Sequence, residues 1–170
     1  MTNVKPKKLS HLDEAGRIRM VDVTPKLPTA RMARAEAVVW IGRKVATLLR
    51  QTGSVAKGNV LETARLAGIM GAKQTSTLIP LCHPLPLDVV EVIATIVGER
   101  VVISTVARTR AATGVEMEAL TAATVAALTV YDMCKAASKD LVIGPIRLLE
   151  KDGGRSGHWQ GKESRRGRKG

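Results

Sequence analysis

Asp132 and Lys135 stand three residues apart in the run Tyr131-Asp132-Met133-Cys134-Lys135, inside a stretch that is otherwise small and apolar. On a helix that spacing makes them surface neighbours. An exposed pair of this kind is an ordinary salt bridge of little energetic consequence. In a cleft the same pair is an acid and a base that tune each other's proton affinity. Lys57 precedes Asn59, a good N-cap with Glu62 three residues on. It is either a solvated lysine or a cation beside a helix N-terminus, a place suited to phosphate. His83 lies in a loop with Pro80, Pro84 and Pro86, which narrow its conformational range. A loop histidine so placed is either a hydrogen-bonded structural group or a catalyst. Cys82-His83 lacks metal-ligand spacing, and His11 and His158 are remote in sequence. The chain has no Walker-type loop and no Gly-x-Gly-x-x-Gly, so neither a metal nor an organic cofactor is expected.

The stretch after Thr113 sets a distance. Thr113-Gly114-Val115-Glu116 matches a capping box and predicts a helix running to about Ala137. Glu118, Thr121, Thr124, Thr129, Asp132 and Lys135 then share one polar arc, and the rest is small or apolar, as in a helix buried on several sides. Glu116 is either the capping glutamate or a site residue. Glu118 and Asp132 are separated by about 21 Å along such a helix at 1.5 Å per residue. One compact site in one chain does not contain both. If both are functional, the site combines the ends of two copies of the helix, and the protein is an oligomer with interface sites.

The remaining pattern supplies the frame. Residues 31–41 alternate polar and apolar, a half-buried strand. Residues 44–50 suit a short helix and 60–73 a second one. That second helix contains Gly68 and Gly71, costly unless close packing requires them. Residues 89–97 and 101–108 form a hairpin about Gly98-Glu99-Arg100, and 141–149 read as a last strand. The order β-α-β-β-α-β predicts an α+β ferredoxin-like fold, an antiparallel sheet with helices on one face. Residues 1–20 read as a flexible arm, 21–152 as one catalytic domain, and 153–170 as a basic glycine-rich tail.

Composition bounds the function class. The chain has 170 residues, 45% of them apolar, with no Phe, one Tyr and two Trp, so its core must be built from Ala, Val, Ile, Leu and Met. Of the net charge of +12, residues 1–8 carry +3 and residues 151–170 carry +5, leaving +4 for the body. A nucleic-acid-binding module needs basic residues on one folded face and aromatics for stacking. Neither is present, although Arg165-Arg166-Gly167-Arg168-Lys169 suits nonspecific contact with a phosphate backbone. No apolar run reaches the length of a membrane span, and no signal peptide is read at the start. Two cysteines are too few for a disulfide framework. A cytoplasmic enzyme is expected.

Several stretches also resemble a known family. They are Met20-Val21-Asp22-Val23, Lys57-Gly58-Asn59-Val60, Ile79-Pro80-Leu81-Cys82-His83-Pro84-Leu85, residues 113–121, Tyr131 to Lys135, and Gly153-Gly154-Arg155-Ser156-Gly157. Together they resemble the cyclic pyranopterin monophosphate synthases of molybdenum cofactor biosynthesis. The resemblance implies a ferredoxin-like fold, a homohexamer built as a trimer of dimers, and sites at subunit interfaces. It implies a nucleotide substrate, (8S)-3′,8-cyclo-7,8-dihydroguanosine 5′-triphosphate. The implied products are cyclic pyranopterin monophosphate and pyrophosphate. By the same resemblance Asp132, Lys57 and Lys135 are catalytic. Leu81, Cys82, His83, Met117, Glu118, Glu116, Arg31 and Lys151 bind substrate, and Arg155 adds charge near the triphosphate. Lysines of lowered pKa would carry the protons. The family usually has Gly-Lys where this chain has Ala111-Ala112, so Arg108 or Arg110 is expected to supply the missing cation. Arg155 stands where lysine is common.

Overall fold

The computed structural model describes residues 16–161. Its element order is β1 (Thr29–Trp40), α1 (Gly42–Thr52), β2 (Ser54–Val55), β3 (Gly58–Asn59), α2 (Val60–Lys73), α3 (Thr75–Leu78), β4 (Val89–Val97), β5 (Arg100–Ala111), α4 (Glu116–Cys134), β6 (Val142–Asp152) and β7 (Trp159–Gln160). The main sheet is antiparallel in the order β4-β5-β1-β6-β7. Its four long strands with α2 and α4 reproduce the expected ferredoxin-like plan. The sequence pattern did not announce the β2–β3 ribbon, the single turn α3, or β7. The last of these lies in the segment expected to be tail and pairs Trp159 with Lys151.

The core follows from the alternation in β1 and β5. Ala33, Ala35, Ala37 and Val39 point to one face with Val101, Ile103 and Ala107, and all are fully buried. Against them lies α4, whose Ala119, Ala122, Ala123, Ala126 and Ala127 are also fully buried. Small residues on both surfaces bring helix and sheet close. Thr105 Oγ adds a hydrogen bond of 2.8 Å to the Ala119 carbonyl, fixing the height of α4 on the sheet.

The two glycines of α2 have the reason expected for them. A Cβ at Gly68 would lie 2.9 Å from the Ala122 carbonyl oxygen, and one at Gly71 would lie 2.8 Å from Val125. The α2–α4 crossing is therefore tighter than alanine permits. At its start, α2 is capped by Asn59, whose side chain accepts from the Glu62 N–H at 3.1 Å. The Glu62 carboxylate turns to Arg65 instead of back to the cap.

The start of α4 departs from expectation. Its N-cap is Val115, with no side-chain cap, and the helix stops at Cys134, short of Ala137. The capping box does not form because the Glu116 carboxylate is engaged elsewhere, 3.1 Å from Lys151 Nζ. No helix among the described residues is long and apolar enough to cross a membrane.

Candidate active site

The two ends of α4 carry two separate groups of candidate functional side chains. At the C-terminal end, Lys57 Nζ lies 2.8 Å from Asp132 Oδ2, and Lys135 Nζ lies 2.6 Å from Asp132 Oδ1. Lys57 also donates to the Asp132 carbonyl at 3.1 Å. That carbonyl is among those a helix leaves without an intrahelical donor, so the ammonium serves as a cap as well. The turn of the β2–β3 ribbon presents Lys57 across this gap. Its ammonium thus reaches to α4, where the sequence pattern had suggested a place at the N-terminus of α2. All three side chains remain about half exposed.

The electrostatics of this cluster are one-sided. Hydrogen bonds from Lys135 and then Lys57 hold the Asp132 carboxyl at about 2. In return, the hydrogen bond and charge of Asp132 push the Lys135 ammonium above its ordinary value. The expected lowering of the lysine pKa is reversed for Lys135, because it faces a carboxylate at contact distance. In the chain as folded, Asp132 is an anion and Lys135 a proton donor.

At the other end of α4 two adjoining cavities open. The smaller, of about 240 Å³, is lined by Arg31, Thr113, Glu116, Lys151, Arg155 and Ser156 among others. The larger, of about 550 Å³, is lined by Leu81, Cys82, His83, Met117 and Glu118 among others. Lys26, Thr113, Gly114 and Glu116 line both, so the two spaces are chambers of one groove. All eight residues expected to bind substrate therefore line this groove. Asp132, Lys57 and Lys135 line neither chamber.

Local sequence explains the walls. The proline loop is tied to β5 by Thr109 Oγ, which donates to the Pro86 carbonyl. The backbone turns at Cys82, whose N–H donates to Ile79 O at 3.1 Å. His83 is half-buried and has no hydrogen-bond partner among the described residues, which does not favour the structural reading of this side chain. Glu118 is buried, and burial first, then the charge of Glu116, raises its pKa. Cys82 is raised likewise by burial and by Glu118, so its thiol stays protonated.

Arg31 is set in place by backbone. Its Nε and Nη2 approach the carbonyls of Ala111 and Ala112 at 3.4 and 3.5 Å. Its guanidinium fills the space that a side chain at position 154 would need, and Gly154 has φ +73°. Only glycine serves both demands there. Arg108 and Arg110, expected to supply the cation missing at Ala112, do not line the smaller chamber but an adjoining cavity that shares Arg31, Met32 and Asp152 with it, and Arg108 pairs with Glu91. The cations that line the smaller chamber beside Ala112 are Lys26, Arg31, Lys151 and Arg155. Lys26 was missed in the sequence, and the available signal was the Thr24-Pro25 turn that aims it, closed by Lys26 N–H to Val23 O at 2.9 Å.

Residues 20–154, which include every one of these side chains except Arg155 and Ser156, match the MoaC family. This chain belongs to the MoaC family. A relative from Streptomyces coelicolor, named cyclic pyranopterin monophosphate synthase, is 54% identical over 152 residues, 89% of each chain. The proline loop, the whole of α4 and the Lys57 turn all lie within the span that matches the MoaC family.

Proposed function

We propose that this MoaC-family chain is a lyase, a cyclic pyranopterin monophosphate synthase acting in molybdenum cofactor biosynthesis. It converts (8S)-3′,8-cyclo-7,8-dihydroguanosine 5′-triphosphate to cyclic pyranopterin monophosphate and pyrophosphate. The observation that carries the reading is the division of its polar groups. Proton-transfer groups gather at one end of α4, and a groove lined by Lys26, Arg31, Lys151 and Arg155 opens at the other, about 21 Å away along the axis by helix rise. A second copy brings the two together, so the working protein on this reading is an oligomer, and the family resemblance makes it a homohexamer arranged as a trimer of dimers.

In the assembled site Lys26, Arg31, Lys151 and Arg155 hold the triphosphate, and their charge offsets that of the departing pyrophosphate. The larger chamber holds the cyclised base between the proline loop and the start of α4. Opening the purine and closing the pterin moves protons on and off nitrogen and carbon repeatedly. Lys135 enters as an ammonium and donates first, while ionised Asp132 keeps it and Lys57 in place. Lys57 shares the proton traffic from the other side of the carboxylate.

Incubation with the cyclised nucleotide tests the proposal. Pyrophosphate and a pterin oxidisable to a fluorescent product are expected in equal amounts. A folded preparation that leaves the nucleotide unchanged overturns the activity, and a monomeric mass in solution overturns the composite site.

A further inference from the structure

Lys151 is held from two sides. Its ammonium donates to Ser156 Oγ at 2.8 Å and pairs with Glu116 Oε1 at 3.1 Å. An ammonium has three N–H donors and no acceptor. Two are taken, and one is left over for a ligand.

The two holding groups are themselves fixed. The Glu116 carboxylate sits against Gly114, where any Cβ would collide with it. Ser156 belongs to the turn closed by Gly157 N–H to Gly154 O at 3.1 Å, and Arg31 blocks that turn from shifting at Gly154. All three members line the smaller chamber, whose charged lining is Lys26, Arg31, Lys151 and Arg155 against Glu116 and Asp152. A second carboxylate on Lys151 would remove half of the remaining positive excess. A hydroxyl restrains the ammonium without adding negative charge.

We infer that Ser156 is a positioning residue for anion binding. With Glu116 it holds the Lys151 ammonium so that its remaining N–H serves a phosphoryl group in the smaller chamber. The inference rests on reading that chamber as the triphosphate site. The gain is preorganisation: a lysine fixed beforehand loses less side-chain freedom when the ligand arrives.

The test uses the full-length chain with inorganic pyrophosphate as the binding probe and the cyclised nucleotide as substrate. Ser156→Ala is expected to weaken pyrophosphate binding on the order of tenfold, the scale of one lost hydrogen bond to a charged group. KM rises by a similar factor with kcat little changed. Ser156→Thr, which keeps the hydroxyl, restores both. In a Lys151→Ala background, Ser156→Ala has no further effect, because the group it positions is gone. Wild-type affinity in Ser156→Ala overturns the inference, and so does an equal further loss in the Lys151→Ala background. A chain that shows the Lys151-dependent loss in pyrophosphate binding but never turns over the nucleotide removes the synthase reading and keeps this one. A chain with normal turnover and an unchanged KM in Ser156→Ala removes this one alone.

Discussion

The Asp132 carboxylate bridges two lysines from different parts of the chain, with Oδ2 2.8 Å from Lys57 and Oδ1 2.6 Å from Lys135. The contact links the β2–β3 ribbon to the end of α4 in a half-exposed setting. Exposed pairs contribute little to folding. Asp132→Asn is therefore expected to leave the thermal midpoint nearly unchanged while lowering kcat by at least about a hundredfold, the usual scale for a lost acid–base group. Calorimetry beside steady-state turnover checks it, and a folded variant of full activity refutes the role.

The same bridge fixes the protonation of Lys135. Its folded pKa is raised, so its contribution to stability is complete below the unfolded value and fades as pH rises through the folded one. Asp132 is the opposite case: its contribution is complete above the unfolded carboxyl value and fades as pH falls toward about 2. Nitrogen NMR of the Lys135 ammonium is expected to show its midpoint falling in Asp132→Asn. An unmoved midpoint would contradict the coupling.

Glu118 is a buried acid whose pKa is raised, so ionising it works against the fold. That penalty grows as pH rises from the unfolded value through the raised folded one. Glu118→Gln should match the wild type in stability at low pH and exceed it at neutral pH, while losing turnover. Thermal midpoints across pH decide this, and a constant difference at every pH would show that titration is not the cause.

The tight α2–α4 crossing predicts an unequal pair of alanine variants. Gly68→Ala sets a Cβ against backbone, whereas Gly71→Ala meets the Val125 side chain. Overpacking costs about 1–3 kcal/mol, of which the helix preference of alanine over glycine returns about 1 kcal/mol. Gly68→Ala is expected to be the more destabilising in urea unfolding, because a carbonyl in a packed helix moves less than a side chain.

Subunit mixing tests the composite site. Asp132→Asn and Glu118→Gln each spoil a different half. When two inactive preparations are unfolded and reassembled together, random pairing leaves about a quarter of the sites intact, as two-fold symmetry of an isologous contact requires. Return of activity toward that fraction supports a shared site, and none at all refutes it.

Much of this was legible in advance where one residue's pattern decided it. The alternation of β1, the Asn59 cap and the three-residue step from Asp132 to Lys135 each determine local geometry alone. The glycines of α2 also announced close packing, though not against what. The capping box before α4 failed because Glu116 had a stronger claim from Lys151, thirty-five residues away in sequence. For Lys57 the pattern alone left a solvated lysine or a cation beside the start of α2, because its neighbour in the chain is α2 while its neighbour in space is the end of α4. The direction of the Lys135 shift needed contact distances, which spacing does not provide. The Lys151–Ser156 bond joins residues five apart across a glycine turn, a geometry without periodicity to betray it.

An interior built without phenylalanine also divides the molecule optically. Trp40 and Trp159 are both at strand positions and 46% and 43% exposed, so neither reports from the alanine-rich centre. Trp159 is instead paired with Lys151 in the β6–β7 ladder. Its emission is therefore expected to be a native gauge of the loop proposed to hold the anion, and blind to the packing beneath it.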